Sequence, residues 1–412
     1  MKRNLLLVAS FVGALNSFAQ VLDTVSMGSM YANENYYKLS NDNEYTVLKD
    51  NWDLAFATNT IGGSSSTIRI NGSAGVELYK YSNAIGDWST LDTTGFNWSS
   101  SQLVNSDTSW TTGAFENTTP ANGFDLGWGA YSMITHTVQG DKLFILKLAN
   151  GDYKKLIVTS LISGVYSIQY ADLDGGNQVN TTIDKANYVG KNFGYYSIQN
   201  GSALDREPLS ENWDLLFTKY ITDLGIMYYP VSGVLVNKGV KVAQVNNVPD
   251  VNTVTSSGQI FETSISTIGS DWKRYVGFYE IEDSLVYFVE LPNSDIYKLI
   301  FTGFGGMTTG DFIFTREQVF ATGLETNLIE NKILNVYPNP ASEEVNVTFV
   351  RADNETLINI VDLTGKEVFS KQINGVKGMT QERIDVNHLT KGIYFLNIVS
   401  SSNRSTQKII IK

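Results

Sequence analysis

The 412-residue sequence contains no cysteine. That excludes a disulfide framework, thiolate metal centres, thiol nucleophiles and lipidation of an N-terminal cysteine, so each domain must stand on its apolar core. Histidine is almost as scarce, with only His136 and His388. So few imidazoles are poor material for zinc or non-haem iron, and no H-E-x-x-H run occurs. A Ser-His-Asp triad would lack the G-x-S-x-G elbow that places its serine. Charged residues are only 17% of the chain, and acids outnumber bases 42 to 30, giving a net charge of −12. With no basic patch to offset that charge, a phosphate backbone is repelled and nucleic acid is a poor partner. Stretches with apolar residues at i, i+3, i+4 and i+7 are also scarce, which argues against a helical fold.

What is abundant is strand material. Thr, Ser, Val, Ile and Tyr fill short runs separated by Asn, Asp and Gly, the composition of half-buried strands joined by turns. The expected fold class is all-β. The length allows two or three domains with proper cores.

The N-terminus reads as an export leader. Met1-Lys2-Arg3-Asn4 is basic, Leu5 to Leu15 is an apolar run too short to span a bilayer, and Ser17-Phe18-Ala19 places small residues where signal peptidase reads. The expected signal peptide is residues 1–19, with Gln20 as the mature start. No second long apolar run follows, so no transmembrane segment is expected after leader removal.

The C-terminus changes character at Leu334. Asn335-Val336-Tyr337-Pro338-Asn339-Pro340 is a rigid entry, because each proline fixes φ and biases its neighbour to extended backbone. Alternating stretches follow at 344–349, 357–362, 367–372, 381–386, 392–398 and 408–412. Asp362-Leu363-Thr364-Gly365-Lys366 reads as a hairpin turn. This is the pattern of a small Ig-like sandwich. The YPNP-type opening, the turn through Gly365 and Lys366, the segment Leu389 to Tyr394 containing Gly392, and the basic-ended terminus at Lys412 occur in one fixed order. In this order they resemble the type A C-terminal sorting domain of type IX secretion. The resemblance implies passage through the outer membrane, handling by that machinery and its sortase, and a protein that is cell-surface attached or extracellular.

Between the ends the text repeats. Asn51-Trp52-Asp53-Leu54-Ala55-Phe56 returns as Asn212-Trp213-Asp214-Leu215-Leu216-Phe217, each behind a Tyr-Tyr pair (Tyr36-Tyr37 and Tyr195-Tyr196). Trp128 is answered by Trp272. The stretch 143–157, through Asn150-Gly151-Asp152, is answered by 286–300 through Asn293-Ser294-Asp295. An order kept over four landmarks indicates duplication. On a strand Trp52, Leu54 and Phe56 are expected to share one face, with Asp53 on the other. Trp128 and Trp272 are expected as core anchors. The N-W-D-L-A-F strand, Gly62-Gly63-Ser64 and the hairpin 155–166 resemble the HmuY-like haem-binding family. The expected organisation is therefore two HmuY-like antiparallel β modules, at 20–180 and 181–323. A linker at 324–333 and the sorting domain at 334–412 follow.

The resemblance implies haem as cofactor, captured outside the cell and passed to an outer-membrane receptor. Haem iron takes His, Met, Tyr or thiolate ligands. With His388 in the tail, the cargo holds His136 alone, and Met133 three residues before it, as haem-ligand candidates. On a strand positions i and i+3 face opposite sides, so the pair would share one iron only across a bend. The second copy offers Met227 and Met307 but no histidine. Asn41 to Glu44 and Asp172 to Gly176 carry oxygen ligands for Ca²⁺ out of EF-hand register, and read as solvated turns. Carboxylate pairs for glycoside hydrolysis have no sequence spacing, since their separation belongs to the fold. The expected function is non-enzymatic: a haem or hydrophobic-ligand binder, or a ligand-free surface module that kept the fold.

Overall fold

In the computed structural model the short β-branched and aromatic runs are strands, and among the described residues the α-helical stretches are two single turns, Trp98–Ser101 and Gly306–Thr309. The structure describes residues 20–62, 65–319, 332–351, 355–374, 378–399 and 404–412. The leader expected at 1–19, residues 324–331 of the expected linker, and Gly63-Ser64 lie outside the described residues. The chain divides between Gly323 and Leu324 into two units.

The larger unit is built from two pairs of sheets and a two-stranded ribbon, Lys273–Tyr275 with Tyr279–Ile281. In the first pair, an inner sheet runs in the order Ser202–Leu204, Phe193–Ser197, Leu54–Ala57, Ile68–Ile70. It packs on an eight-stranded outer sheet that includes Leu143–Lys147, Tyr153–Ile162, Val165–Asp172 and Val179–Asp184. In the second pair the inner sheet is Tyr228–Val236, Leu215–Asp223, Asn33–Tyr37, Glu44–Leu48. Its outer sheet is Val21–Ser26, Asp311–Val319, Ile296–Phe304, Val286–Glu290, Lys241–Val245.

The strands Leu54–Ala57 and Phe193–Ser197 and the first half of Leu215–Asp223 are buried on both faces. Leu54 and Phe56 enter the core shared with the eight-stranded sheet, while Ala55 and Ala57 join a second apolar cluster behind it. Leu215 and Phe217 enter the core under the five-stranded sheet, and Leu216 points the other way. Trp128 and Trp272 are core anchors, 0% and 1% exposed.

One expectation fails. Trp52 does not share a face with Leu54 and Phe56; it packs with Ala55 and Tyr195, and Trp213 likewise packs with Leu216 rather than Leu215. The strands and their alternation begin at Leu54 and Leu215, so the tryptophans stand before them. Each entry is pinned by the intervening carboxylate. Asp53 accepts from Ser197 Oγ and the Gln199 N–H, both at 3.1 Å. Asp214 accepts from the Leu39 N–H at 2.9 Å and Lys38 Nζ at 2.8 Å.

The Tyr-Tyr strands pair crosswise. Asn33–Tyr37 lies antiparallel to Leu215–Asp223, and Phe193–Ser197 lies antiparallel to Leu54–Ala57. Val21–Ser26 likewise pairs with Asp311–Val319, near the other end of the unit. The first pair of sheets is thus contiguous in sequence, and the second takes its opening strands from before residue 49. A boundary between 180 and 181 falls inside the strand Val179–Asp184, which is paired to Val165–Asp172. The two hairpin turns carry the same bonds: Asn150 Nδ2 donates to Asp152 Oδ2, and Asn293 Nδ2 to Asp295 Oδ2, both at 2.8 Å. The strand after each turn shifts register at matching places, Val158/Ser160 and Phe301/Gly303.

The smaller unit is two facing sheets of three and four strands. Val345, Val347, Ile358, Ile360, Leu396 and Ile398 are sealed between them, as a small sandwich requires. The sorting-motif residues fall at its edges and turns. Tyr337 ends the strand Lys332–Tyr337, and Asn339 bonds the last strand through the Lys408 carbonyl (3.0 Å) and the Ile410 N–H (2.9 Å). Pro338 and Pro340 flank Asn339, each following a cis peptide bond. Gly365 takes φ +85° in the turn closed by the Asp362 N–H donating to the Lys366 carbonyl. Gly392 opens the strand carrying Tyr394, whose hydroxyl donates to the Thr390 carbonyl at 2.7 Å in the manner of a tyrosine corner. The Lys412 N–H donates to the Ala341 carbonyl.

Candidate functional site

Where the two inner sheets approach each other, the alternation of the Tyr-Tyr strands divides the labour. Tyr37 and Tyr196 face outward into the two main cores, while Tyr36 and Tyr195 face the seam. Their hydroxyls lie 3.4 Å apart. Each ring meets edge-on the tryptophan of the opposite repeat segment. Tyr36 and Trp213 lie 5.0 Å apart at 74°, and Tyr195 and Trp52 lie 5.0 Å apart at 82°, a geometry favoured by the aromatic quadrupoles.

A loop over the seam adds Trp110. Arg69 holds that loop by donating to the carbonyls of Ser106 (2.7 Å), Ser109 (2.8 Å) and Thr112 (3.1 Å), with its guanidinium 5.1 Å from the Trp110 ring. Trp110 Nε1 then donates to the Val236 carbonyl at 2.8 Å. Burial pushes the Arg69 guanidinium down to about 10.

Two buried carboxylates border the seam. Glu34 is paired with Arg206 and accepts from the Thr218 hydroxyl at 2.9 Å. Arg206 also donates to the Leu48 carbonyl at 2.7 Å and lies 5.0 Å from the Tyr195 ring. Glu207 accepts from the Asn192 N–H and the Tyr195 hydroxyl, each at 2.8 Å, and burial pushes its carboxyl up to about 7.

Glu34, Tyr36, Arg69, Trp110, Tyr195 and Glu207 are among the residues that line a cavity of about 80 Å³. Three of its lining residues carry polar atoms that are buried and meet no partner: Trp52 Nε1, Trp213 Nε1 and Asn192 Oδ1. A buried polar atom without a partner costs roughly 1–3 kcal/mol, so two such donors and one such acceptor at one place are a demand for something that supplies bonds.

The haem-ligand candidates lie elsewhere. Met133 and His136 occupy the turn between Gly129–Ser132 and Thr137–Gly140, both exposed, with His136 at φ +53° and its Nδ1 2.8 Å from the Tyr131 hydroxyl. The turn supplies the bend that sharing an iron would need, but it is the tip of a hairpin and provides no enclosing apolar platform. Two wider grooves, of about 770 and 410 Å³, are lined by neither histidine nor methionine. Met133 and His136 are therefore not brought to either groove. Met227 and Met307 are likewise exposed. In the two turns with oxygen ligands for Ca²⁺, carboxylates are engaged within the protein: Asp42 with Arg316, and Asp172 with Lys154 and Asn177.

Sequence reasoning marks Trp52, Trp213 and the tyrosines, because they repeat. It misses Arg69, Trp110, Arg206, Glu34 and Glu207, which sit outside the repeated words and meet only through the crosswise pairing.

Residues 335–412 match the family described as the secretion system C-terminal sorting domain. The protein is therefore exported to the cell surface or the extracellular space, with its tail handled by the type IX machinery. No curated protein matches the chain. A solved structure titled "Biofilm associated protein - BSP domain" aligns with 92% of this chain and 68% of its own, at 11% identity and a TM-score of 0.16, a likeness too remote to define a fold.

Proposed function

We propose that residues 20–319 are a non-enzymatic, ligand-binding cargo that the sorting domain delivers outside the cell, with the aromatic seam cavity as its ligand seat. One observation carries this reading. Trp213 is 2% exposed and lines the cavity, yet its indole N–H has no acceptor. A side chain whose role was packing alone would leave that donor bonded or replaced by an apolar ring.

The cargo is read as a duplicated HmuY-like module. Crosswise strand pairing, identical bonds in the turns at 150–152 and 293–295, and register shifts at Val158/Ser160 and Phe301/Gly303 support this. Haem capture and transfer to an outer-membrane receptor do not follow from it. A cavity of about 80 Å³ lies well under the ~300 Å³ at which pockets begin to enclose drug-sized ligands, and His136 stands on an exposed turn. Haemin titration tests this directly. The expected result is no Soret change and identical spectra for the His136→Ala variant; a Soret band lost on that substitution would restore the haem reading.

A second reading has its own observation. Hairpin tips expose Ile134 and Ile226, each 92%, and Phe278, 64%, which suits a surface interaction module with no ligand. In that case Ile134→Ser with Ile226→Ser abolishes attachment of the exported protein to its partner surface, while Trp213→Phe leaves it intact.

A further inference from the structure

We infer that the seam cavity receives the hydroxylated end of a neutral carbohydrate or polyol. This rests on the cavity being the ligand seat, and adds the chemical class. Size sets the first limit. A cavity of roughly 150 Å³ holds benzene, so one of about 80 Å³ admits a group of roughly three or four non-hydrogen atoms. That is a hydroxymethyl arm or a vicinal diol rather than a whole ring.

Bonding capacity sets the second limit. The unmet atoms are two donors, the indole N–H groups of Trp52 and Trp213, and one acceptor, Asn192 Oδ1. A carbonyl satisfies only the indoles, and an ammonium only the asparagine. A hydroxyl donates and accepts through one atom, so a pair of hydroxyls matches the set.

Charge sets the third. The acids Glu34, Glu207 and Asp107 and the bases Arg69 and Lys219 line the same cavity. A free anion or cation would meet like charge as well as opposite charge, while a neutral ligand meets no such penalty. The aromatic rings of Tyr36, Tyr195 and Trp110 supply apolar surface for the C–H faces of the same group. At the rim, half-buried Ser73, Ser106 and Asp107 leave polar surface for the part of the ligand that stays outside.

The test uses the full chain with its seven tryptophans labelled with ¹⁵N in the indole ring. Glucose, galactose, N-acetylglucosamine and glycerol are titrated to millimolar excess. The expected result is a saturable shift of the Trp52 and Trp213 indole signals with at least one probe, while Trp128, already bonded to the Ser66 carbonyl at 2.9 Å, does not move. Trp52→Phe and Trp213→Phe serve for assignment, and Glu207→Gln and Trp213→Phe are each expected to weaken binding about tenfold. Should any variant fail to fold, the wild-type titration still decides, with the signals distinguished by selective fluorination. Saturation by glycerol marks a free polyol, and saturation by the sugars alone marks a glycan end. Acetamide or another non-hydroxylic probe shifting the same two signals, with the sugars silent, overturns the class and leaves the seat standing. No probe shifting them, with both indoles exchanging protons only with water, overturns both the class and the seat.

Discussion

The hydroxyls of Tyr36 and Tyr195 meet at 3.4 Å across 159 residues of chain. Each tyrosine reaches that point on a strand that pairs with the other segment's Trp-Asp-Leu strand. The contact marks the centre of the seam between the two inner sheets. Close to it lie two unbonded indoles, a buried ion pair and a carboxyl raised by burial.

Crosswise pairing makes a statement about autonomy. Both sheets of the first pair come from residues between 49 and 209, so a fragment 49–209 keeps every strand of its core. A fragment 20–180 loses Phe193–Ser197, and Leu54–Ala57 is left with a bare edge. The first fragment is expected to unfold cooperatively in urea, at lower stability than the full chain because its seam is uncovered. The second is expected to show no cooperative transition by circular dichroism. The reverse outcome would mean that the exchange does not form in solution.

Arg206 and Glu34 form an ion pair in which each side chain is under a tenth exposed. Removing one partner strands the other without water, whereas removing both charges leaves two amides that can still bond their neighbours. Arg206→Gln is therefore expected to cost about 3–5 kcal/mol, and Glu34→Gln with Arg206→Gln clearly less than the sum of the two single changes. Urea midpoints of the four proteins in a double-mutant cycle check this. Simple additivity would mean that the pair is solvated.

Much of the fold was legible because strand periodicity and turn chemistry are local. In the tail, the stretch read as 367–372 is the strand Glu367–Asn374, and Gly365 sits at positive φ where a turn was expected. Trp52 does not follow the expected alternation with Leu54 and Phe56, since alternation holds only within a strand and Trp52 precedes it. The seam was illegible for a different reason. Glu207 and Tyr195 lie on adjoining elements, but Trp213, Arg69 and Trp110 join them only through pairings that reverse the order of the repeats. No spacing in a single sequence carries that information. His136 drew attention by its rarity, and rarity is not a geometric property.

Trp213 and Trp128 are both buried indoles, 2% and 0% exposed, and differ in one bond. Trp128 Nε1 donates to the Ser66 carbonyl at 2.9 Å, while Trp213 Nε1 has no acceptor. Replacement by phenylalanine removes a similar volume from each. Trp128→Phe also orphans a buried carbonyl, and Trp213→Phe removes an orphan donor. Trp213→Phe is expected to cost less by about 1–2 kcal/mol. Chemical denaturation of the two variants side by side measures the difference, and equal costs would mean that the Trp213 N–H is bonded in solution.

Glu207 gives the cargo a pH dependence of predictable sign. Its carboxyl is raised to about 7, first by burial, against the N–H of Asn192, the Tyr195 hydroxyl and the Arg206 charge, which act the other way. In the unfolded chain it ionises near 4.5. Between those values the folded state holds a proton that the unfolded state has released, so stability falls as pH rises through the interval and levels off above it. Glu116, raised by burial to about 8 between the N–H groups of Ile68 and Gly113 and beside Arg69, tilts the profile the same way. Lys185 and Lys273, lowered by burial to about 8 and about 7, favour folding as pH climbs further. The whole profile therefore mixes signs, and the clean measurement is a difference. Glu207→Gln cannot ionise, so wild type should lose ground to the variant between about pH 5 and about pH 8, with a slope of at most about 1.4 kcal/mol per pH step of one. Urea midpoints of both proteins at the two pH values test it. Parallel behaviour of the two would mean that Glu207 ionises in the folded protein as it does in water, and that the seam is wetter than its geometry indicates.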